Sequence, residues 1–381
     1  MKSVYYWSPF LTHVATISAV IESAKSLRKY SKKYEPVIID ACGEFESYKK
    51  ILINNQINTI NLTSFKYFKF LPKNGFFSSR FSYLLIFLFS FIPLYKVIKK
   101  KNPDYFICHL ITSLPMLLAK LFNFHSKFIL RISGLPKLNL FRKFYWKTCG
   151  NVFFKITSPT NATINHLQLI KIFDEKKILL LRDPIINIRK IKKLKKQRID
   201  PYFENNQFFV AIGRLTKQKN FKFLISSFQK LIVSQPNLKL AIIGDGEEMQ
   251  NLKKLVQTKN LENNIFLLGH LQNVFNYLSR AKLFILSSLW EDPGWVLLEA
   301  AASNTLILSS DCKNGPSEII DNNNAGQLYK VDNEQDFINK FNQIMSLDNV
   351  QIDSKKLFAK KKSYLFTKFQ HFKNLEEIIS I

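Results

Sequence analysis

The sequence predicts an α/β chain built as two doubly wound parallel sheets, one in each half, facing across a cleft. Three observations predict it. Short apolar, β-branched runs alternate with longer helical patterns along almost the whole chain. At 381 residues the chain exceeds one ordinary core, and its 46% hydrophobic content is enough to fill two. Between the two series lies a charged, weakly patterned stretch, 187–207, which holds Pro201 and reads as a linker.

In chain order, the first half offers strands at 3–7, 36–40, 59–63, 104–109, 127–132, 152–157 and 177–181. Helical patterns fill the intervals, such as ATISAVIESAKSLRKYSKK at 15–33. The second half offers strands at 208–213, 238–244, 265–269, 283–288 and 306–310. The domains expected are 1–190 and 207–350, with 351–381 packing back as helices on the first. Ligands of such sheets bind beyond the carboxyl ends of the strands, so functional residues are sought there.

Charge is lopsided. The chain carries +28, of which residues 1–200, with 35 Lys+Arg and 10 Asp+Glu, hold +25. An excess of that size suits an anionic partner: nucleic acid, an anionic membrane face or a phosphorylated substrate. A compositional bias toward Lys, Asn, Ile and Phe is a second account of it. Cys42, Cys108, Cys149 and Cys312 are scattered, which suits buried reduced thiols in a cytoplasmic protein and offers no zinc site. MKSVYYWSPF runs straight into a strand pattern and does not read as a signal peptide.

The segment FSYLLIFLFSFIPLYKVIKKK, 81–101, is apolar up to Pro93 and ends in lysines, with Arg80 before it. Its apolar part is shorter than the ~20 residues of a spanning helix. A buried helix, a helix lying at an interface and a spanning helix all remain open for it.

Three motifs close strands of the second half. In VAIGRLTKQKN, Gly213 allows a tight turn, and Arg214 and Lys219 can converge on one point. A forked guanidinium beside a compact ammonium suits a diphosphate whose charge grows as it leaves. A solvated basic loop would look the same. AIIGDGEEM ends a strand with Gly-Asp-Gly, too little for a dinucleotide fingerprint, and reads as a turn that brings backbone near a ligand, with Asp245 as a cap.

LWEDPGWVLLEA, 289–300, places Glu291 before and Glu299 inside an expected helix. Asp292 has the chemistry of its N-cap and Pro293 that of its first residue. Glu299 would lie about 9 Å along it, on the face of Asp292, Trp295 and Val296. Gly294 allows close approach of a ligand, and the free N–H groups of the first turn face a phosphate. The two acids would then accept hydroxyls at two depths. The bland alternative is a capped amphipathic helix with a solvated Glu299.

Taken together and in this order, these motifs resemble glycosyltransferase family four, retaining nucleotide-sugar-dependent enzymes of the GT-B fold. The resemblance is strongest over 207–330. GRLTKQKN is similar to the family's phosphate-binding loop, Glu291 and Glu299 meet its E-x7-E signature, and NGPSEIIDNNNAG (314–326) is similar to the turn that follows. SPFLTHVATISAV and DPIINI suit a subgroup making bacterial surface polysaccharides.

The resemblance implies an acceptor-binding first domain and a nucleotide-sugar-binding second domain. It implies that Arg214 and Lys219 hold the donor diphosphate, that Glu299 accepts the ribose hydroxyls and that Glu291 binds the transferred sugar. Backbone at Gly213, Gly294, Trp295 and Val296 would face the donor, and His109 would stand near the reacting sugar. The chain departs from the family in the Ser8–His13 loop, where Gly-Gly is common, at Pro293, and in Arg131-Ile132-Ser133-Gly134-Leu135-Pro136.

The reading that follows is a hexosyltransferase acting on a nucleotide sugar and a glycan or lipid-linked acceptor, with no metal and no cofactor. It would work in the cytoplasm at the inner membrane face, with Lys99, Lys100 and Lys101 against anionic lipid. A sugar-nucleotide epimerase of similar shape and a basic non-enzymatic membrane protein are the rivals. A nucleic-acid binder is disfavoured, because no aromatic-basic recognition motif is present.

Overall fold

The computed structural model describes residues 1–12, 15–73, 75–136 and 138–380, with residues 15 and 76 described by their backbone alone. His13, in the first strand–helix loop, lies outside them. The chain divides into two units, Met1–Ile185 with Lys368–Ile381, and Ile186–Thr367.

In the first unit β1 (Lys2–Trp7), β2 (Tyr34–Asp40), β3 (Asn58–Asn61), β4 (Tyr105–Cys108), β5 (Lys127–Arg131), β6 (Lys155–Ser158) and β7 (Ile178–Leu180) form one sheet. Its order is β3-β2-β1-β4-β5-β6-β7, and every pairing is parallel. In the second unit β8 (Phe209–Ile212), β9 (Leu240–Ile243), β10 (Ile265–Gly269), β11 (Leu283–Leu286), β12 (Ile307–Ser310) and β13 (Gln327–Tyr329) form another. Its order is β10-β9-β8-β11-β12-β13, again parallel throughout. Winding reverses between β1 and β4 in one sheet and between β8 and β11 in the other. These are the switch points where such sheets open a crevice for ligands.

Each sheet carries helices on both faces, which is why its central strands read as unbroken apolar runs. On one face of the first sheet lie Ala15–Tyr30 and Lys368–Ser380, closing a core around Tyr6, Ile38 and Ile107. On the other lie Phe76–Lys101, Ser113–Leu121 and Leu140–Cys149, over Trp7, Phe106 and Leu130. β13 is an addition to the strands expected from sequence; it is three residues long and opens on a polar glutamine, so its run is too short to signal a strand.

The 187–207 stretch is not an unstructured linker. It forms the helices Ile188–Leu194 and Pro201–Asn205 and belongs to the second unit. Of the segment 351–381, the Asn349–Tyr364 helix stays with the second unit and only Lys368–Ser380 returns to the first. The chain passes between units at two neighbouring points, since the Ile186 N–H donates to the Phe366 carbonyl at 2.9 Å.

The apolar 81–101 segment is part of a longer helix, Phe76–Lys101, which continues through Pro93. It is neither fully buried nor free to span. Ser82, Ile86, Ser90, Leu94 and Ile98 are fully buried at four-residue intervals, while much of the opposite face is exposed. One face is therefore a layer of the first unit's core.

Candidate active site

The site is built at the switch point of the second sheet, where the loop after β8 meets the loop after β11. After β8 the chain turns at Gly213 and closes a short 3-10 turn at Lys217–Lys219. A Cβ on Gly213 would press on the Lys219 side chain at 3.1 Å, so glycine here leaves room for the lysine to fold back over the strand end. After β11, Ser287 and Ser288 lead into Glu291. The two loops are stitched together: the Ser287 hydroxyl donates to the Lys219 carbonyl at 2.7 Å, the Leu289 N–H to the Gln218 carbonyl at 2.8 Å, and the Gln218 amide to the Trp290 carbonyl at 2.8 Å.

At the centre of this stitching the Lys219 ammonium meets the Glu291 carboxylate at 2.5 Å, with both side chains largely out of solvent. The Ser288 hydroxyl donates to the same carboxylate oxygen, Oε1, at 2.5 Å. One oxygen of Glu291 is thus taken twice, while Oε2 accepts from no described residue. The Ser310 hydroxyl in turn fixes the Ser288 carbonyl at 2.7 Å. Glu291 is buried against its lysine.

The Arg214 carbonyl accepts from the Thr216 N–H at 2.8 Å, while its side chain is exposed and forms no hydrogen bond or ion pair with any described residue. Its loop is nonetheless rigidly placed. A Cβ on Gly244 would stand 1.9 Å from the Gly213 carbonyl oxygen, and one on Gly246 would stand 2.5 Å from that of Leu215. The Leu215 N–H donates to the Asp245 carbonyl and the Glu248 N–H to the Leu215 carbonyl, both at 2.9 Å. The Gly-Asp-Gly turn therefore brings backbone against backbone rather than against a ligand: it braces the arginine loop. Asp245 caps its own turn, accepting from Gly246 N–H at 2.7 Å, and not the helix that follows.

The helix bearing Glu299 is Trp295–Ala302, and it starts later than Asp292 and Pro293 suggested. Its N-cap is Gly294, at φ 88°, a left-handed backbone that favours glycine. Asp292 instead accepts from the Asn314 amide at 2.6 Å, and a Cβ on Gly315 would stand 1.9 Å from the Pro293 carbonyl oxygen. The Asn-Gly-Pro turn thus holds the 291–294 loop from behind. Glu299 lies one turn into the helix, about 6 Å from its start. It shares a face with Trp295, and the first-turn N–H groups of Trp295 and Val296 have no intrahelical acceptor.

Burial pushes the Glu299 carboxyl up to about 7, against the opposing pull of Lys190 and Lys219. Lys190, on the Ile188–Leu194 helix, carried no sequence signal; its basic run read as linker. Among the described residues two buried polar atoms of these loops have no partner, the Thr216 hydroxyl and the Trp295 indole nitrogen. Among the described residues no three His, Cys, Asp or Glu side chains gather in a metal-binding group.

His109 belongs to the first unit and follows β4, at that sheet's own switch point; its N–H donates to the Trp7 carbonyl at 2.9 Å. It is buried, its Nδ1 has no partner among the described residues, and burial together with the Arg131 charge holds its pKa well below the usual histidine range. Arg131, the last residue of β5 and the first of the stretch that departs from the family, is not free for an acceptor. It is buried in an ion pair with Asp183 and donates to the Leu181 carbonyl.

Two doubly wound sheets, with a basic and an acidic loop joined at the switch point of the second, make this a GT-B glycosyltransferase fold. Comparison with known proteins agrees. Residues 192–361 match the model described as glycosyl transferases group 1. An uncharacterised glycosyltransferase of Methanocaldococcus jannaschii is 30% identical over 314 residues, 77% of this chain and 70% of that protein. A Campylobacter jejuni N-acetylgalactosaminyltransferase, whose name records a sugar-diphospho-undecaprenol substrate, is 33% identical over 129 residues, 34% of each chain. The crystal structure of Anabaena HepE in complex with UDP superposes with a TM-score of 0.76, at 15% identity and full coverage of both chains. The chain belongs to the group 1 glycosyl transferases, and it is a glycosyltransferase.

Proposed function

We propose that this enzyme moves a hexosyl unit from a nucleoside diphosphate sugar to a hydroxyl of a glycan or lipid-linked acceptor in surface-polysaccharide synthesis, with the anomeric configuration retained. The observation that carries the proposal is the Lys219–Glu291 pair at the β8/β11 switch point, on whose β8 loop the exposed Arg214 also lies. A cation adjoining a hydroxyl acceptor suits the junction between a diphosphate and the sugar attached to it.

In this mechanism the bond from the anomeric carbon to the diphosphate oxygen breaks as the bond to the acceptor oxygen forms. The acceptor proton passes to the departing diphosphate oxygen on the same face. Arg214 and Lys219 stabilise the charge growing on that diphosphate, where much of the rate is gained, and the N–H groups of Trp295 and Val296 add to it. These cations and the helix start take the place of a metal. Glu291 Oε2 holds a hydroxyl of the moving sugar, and Glu299 holds the ribose. His109 keeps the part at the sugar expected of it, which its burial and an Nδ1 without a partner among the described residues support.

The Campylobacter relative's lipid-linked substrate and the +25 carried by residues 1–200 support work at the inner face of the cytoplasmic membrane. The test is a panel of nucleotide sugars, each incubated with and without acceptor, with the anomeric configuration of the product read by NMR. One donor should be consumed to give an α-linked product from an α-linked donor. Inversion, or epimerised donor with no transfer, would overturn the proposal.

A further inference from the structure

We infer that the outer face of the Phe76–Lys101 helix, together with that of the Leu140–Cys149 helix, is a bilayer-insertion surface that docks the first unit on anionic lipid. This deepens the membrane part of the proposed function and rests on it for its purpose, though not for its physics.

The geometry comes first. Phe77, Phe81, Leu84, Leu88 and Ile92 are between 52% and 84% exposed. Their spacing of four, three, four and four residues puts them in one stripe along the helix. The opposite face is locked into the core, so the helix offers its stripe side-on and does not cross a membrane while the unit is folded. The most apolar window of this helix has a mean hydropathy of 1.9, and only 28% of it is buried.

The Leu140–Cys149 helix repeats the pattern on the same side of the sheet. Trp146 and Cys149 enter the same core layer, while Leu140, Phe141 and Phe144 are 89%, 76% and 67% exposed. Between the two helices lies Ser113–Leu121, which touches both and ends in the exposed Leu121. Near the other end, Tyr67 packs edge-on against Phe89, next to a stacked pair formed by the exposed Phe65 and Phe70. An apolar surface with this many exposed rings marks an interaction site.

Charge selects the occupant. From residue 47 to residue 173 the sequence has 19 Lys+Arg and a single acid, Asp104. Asp104 is already engaged, accepting from the Ser3 N–H at 2.7 Å. The three helices of this surface carry lysines and arginines and no acid, so a second copy of the chain would bring like charges together, which repulsion opposes. An anionic bilayer supplies both the apolar interior and the opposite charge. The last turn fits that boundary: the Lys99 ammonium donates to the Tyr95 hydroxyl at 3.0 Å and lies 5.5 Å from the ring centre, a basic head leaning over an apolar body.

The test uses the full chain and two sets of vesicles, pure phosphatidylcholine and phosphatidylcholine with one third phosphatidylglycerol, read by flotation. Wild type should bind the anionic vesicles at least roughly tenfold more tightly, with affinity falling as salt rises. Leu84→Ser with Leu88→Ser should lose about tenfold or more, and Lys99→Glu with Lys100→Glu a comparable amount. These outward positions should leave hydrolysis of the donor intact in both variants. Equal binding to neutral vesicles, unchanged binding of the leucine variant, or a dimer that the leucine variant dissociates would overturn the inference. Loss of donor hydrolysis by wild type with vesicle binding intact would strike the proposed reaction instead.

Discussion

Lys219 and Glu291 stand 72 residues apart in sequence and 2.5 Å apart in space, each from a loop on one side of the switch point. A cation assigned to the donor diphosphate is therefore paired with a carboxylate of the same site. Donor must share that lysine with Glu291 or draw it away. Glu291→Gln keeps the hydrogen-bonding shape and removes the competing charge. Calorimetry should find nucleoside diphosphate bound about three- to tenfold more tightly by the variant, because a partly buried, unpaired lysine gains most from an arriving anion. Transfer should fall by about a hundredfold or more, since the sugar loses its anionic acceptor. Weaker diphosphate binding in the variant would mean that Glu291 holds Lys219 in place for the donor rather than competing for it.

Glu299 gives donor binding a pH dependence with a defined sign. Burial raises its carboxyl to about 7, so below that pH the donor-free site holds it protonated. Ribose hydroxyls donate best to the ionised form. Affinity should rise with pH by up to about tenfold per unit below 7 and level off above it, with a proton released on binding. Glu299→Gln should flatten the profile. Lys190→Met should move it to higher pH, because Lys190 favours the ionised form. Titration in two buffers of different ionisation enthalpy measures the proton; none released at pH 6.5 would refute the assignment.

Much of this was legible in sequence where chemistry and position coincide. Every expected strand of the first half is present, and β8 to β12 begin and end within two residues of their apolar runs. Arg214, Lys219 and Glu291 were visible because strand ends at a switch point are where such folds place ligands. What escaped depends on tertiary partners. The start of the Trp295–Ala302 helix was misjudged because Asp292 bonds Asn314, on another loop, and not the helix. Pro93 read as the end of the apolar run, yet the helix continues through it, because burial of Ile86, Leu94 and Ile98 offsets the hydrogen bond that a proline removes. Gly-Asp-Gly signalled a close approach, but its glycines meet the neighbouring loop, which no local pattern encodes.

The Arg131–Asp183 pair is of the same kind. The two residues sit in motifs read separately, 52 positions apart, and meet with almost no exposure. Removing one partner strands a buried charge, so Asp183→Ala should cost about 3–5 kcal/mol of stability in urea unfolding. Arg131→Met with Asp183→Leu should cost less than that single change, because no charge is left uncompensated. A double variant as unstable as the sum of both singles would show that the two charges are not coupled.

The C-terminal helix returns His371 to the first unit, where it completes a buried hydrogen-bond chain. Its Nδ1 lies 2.6 Å from the Arg182 carbonyl and its Nε2 lies 2.7 Å from the Ser23 hydroxyl, which is 2.9 Å from that of Tyr6. A carbonyl only accepts, so Nδ1 carries the proton. Burial and the Arg131 charge bring the ring down to about 3, so it stays neutral. Nε2 must then accept from Ser23, which accepts from Tyr6. The consequence is acid lability. The folded ring resists a proton that the unfolded ring takes below about 6.5, so its contribution is complete above that pH and declines toward 3 by about 1.4 kcal/mol per unit. His109, depressed in the same direction, adds to this slope. Glu44 and Glu299, whose carboxyls are raised, oppose it. The measurable quantity is therefore a difference. Urea unfolding of wild type and His371→Gln at pH 6 and pH 5 should give a slope shallower by about 1.4 kcal/mol per unit in the variant, which has no ring to titrate. Equal slopes would mean that His371 is protonated in the folded chain, and the Tyr6–Ser23–His371 chain would then have to run in the opposite direction.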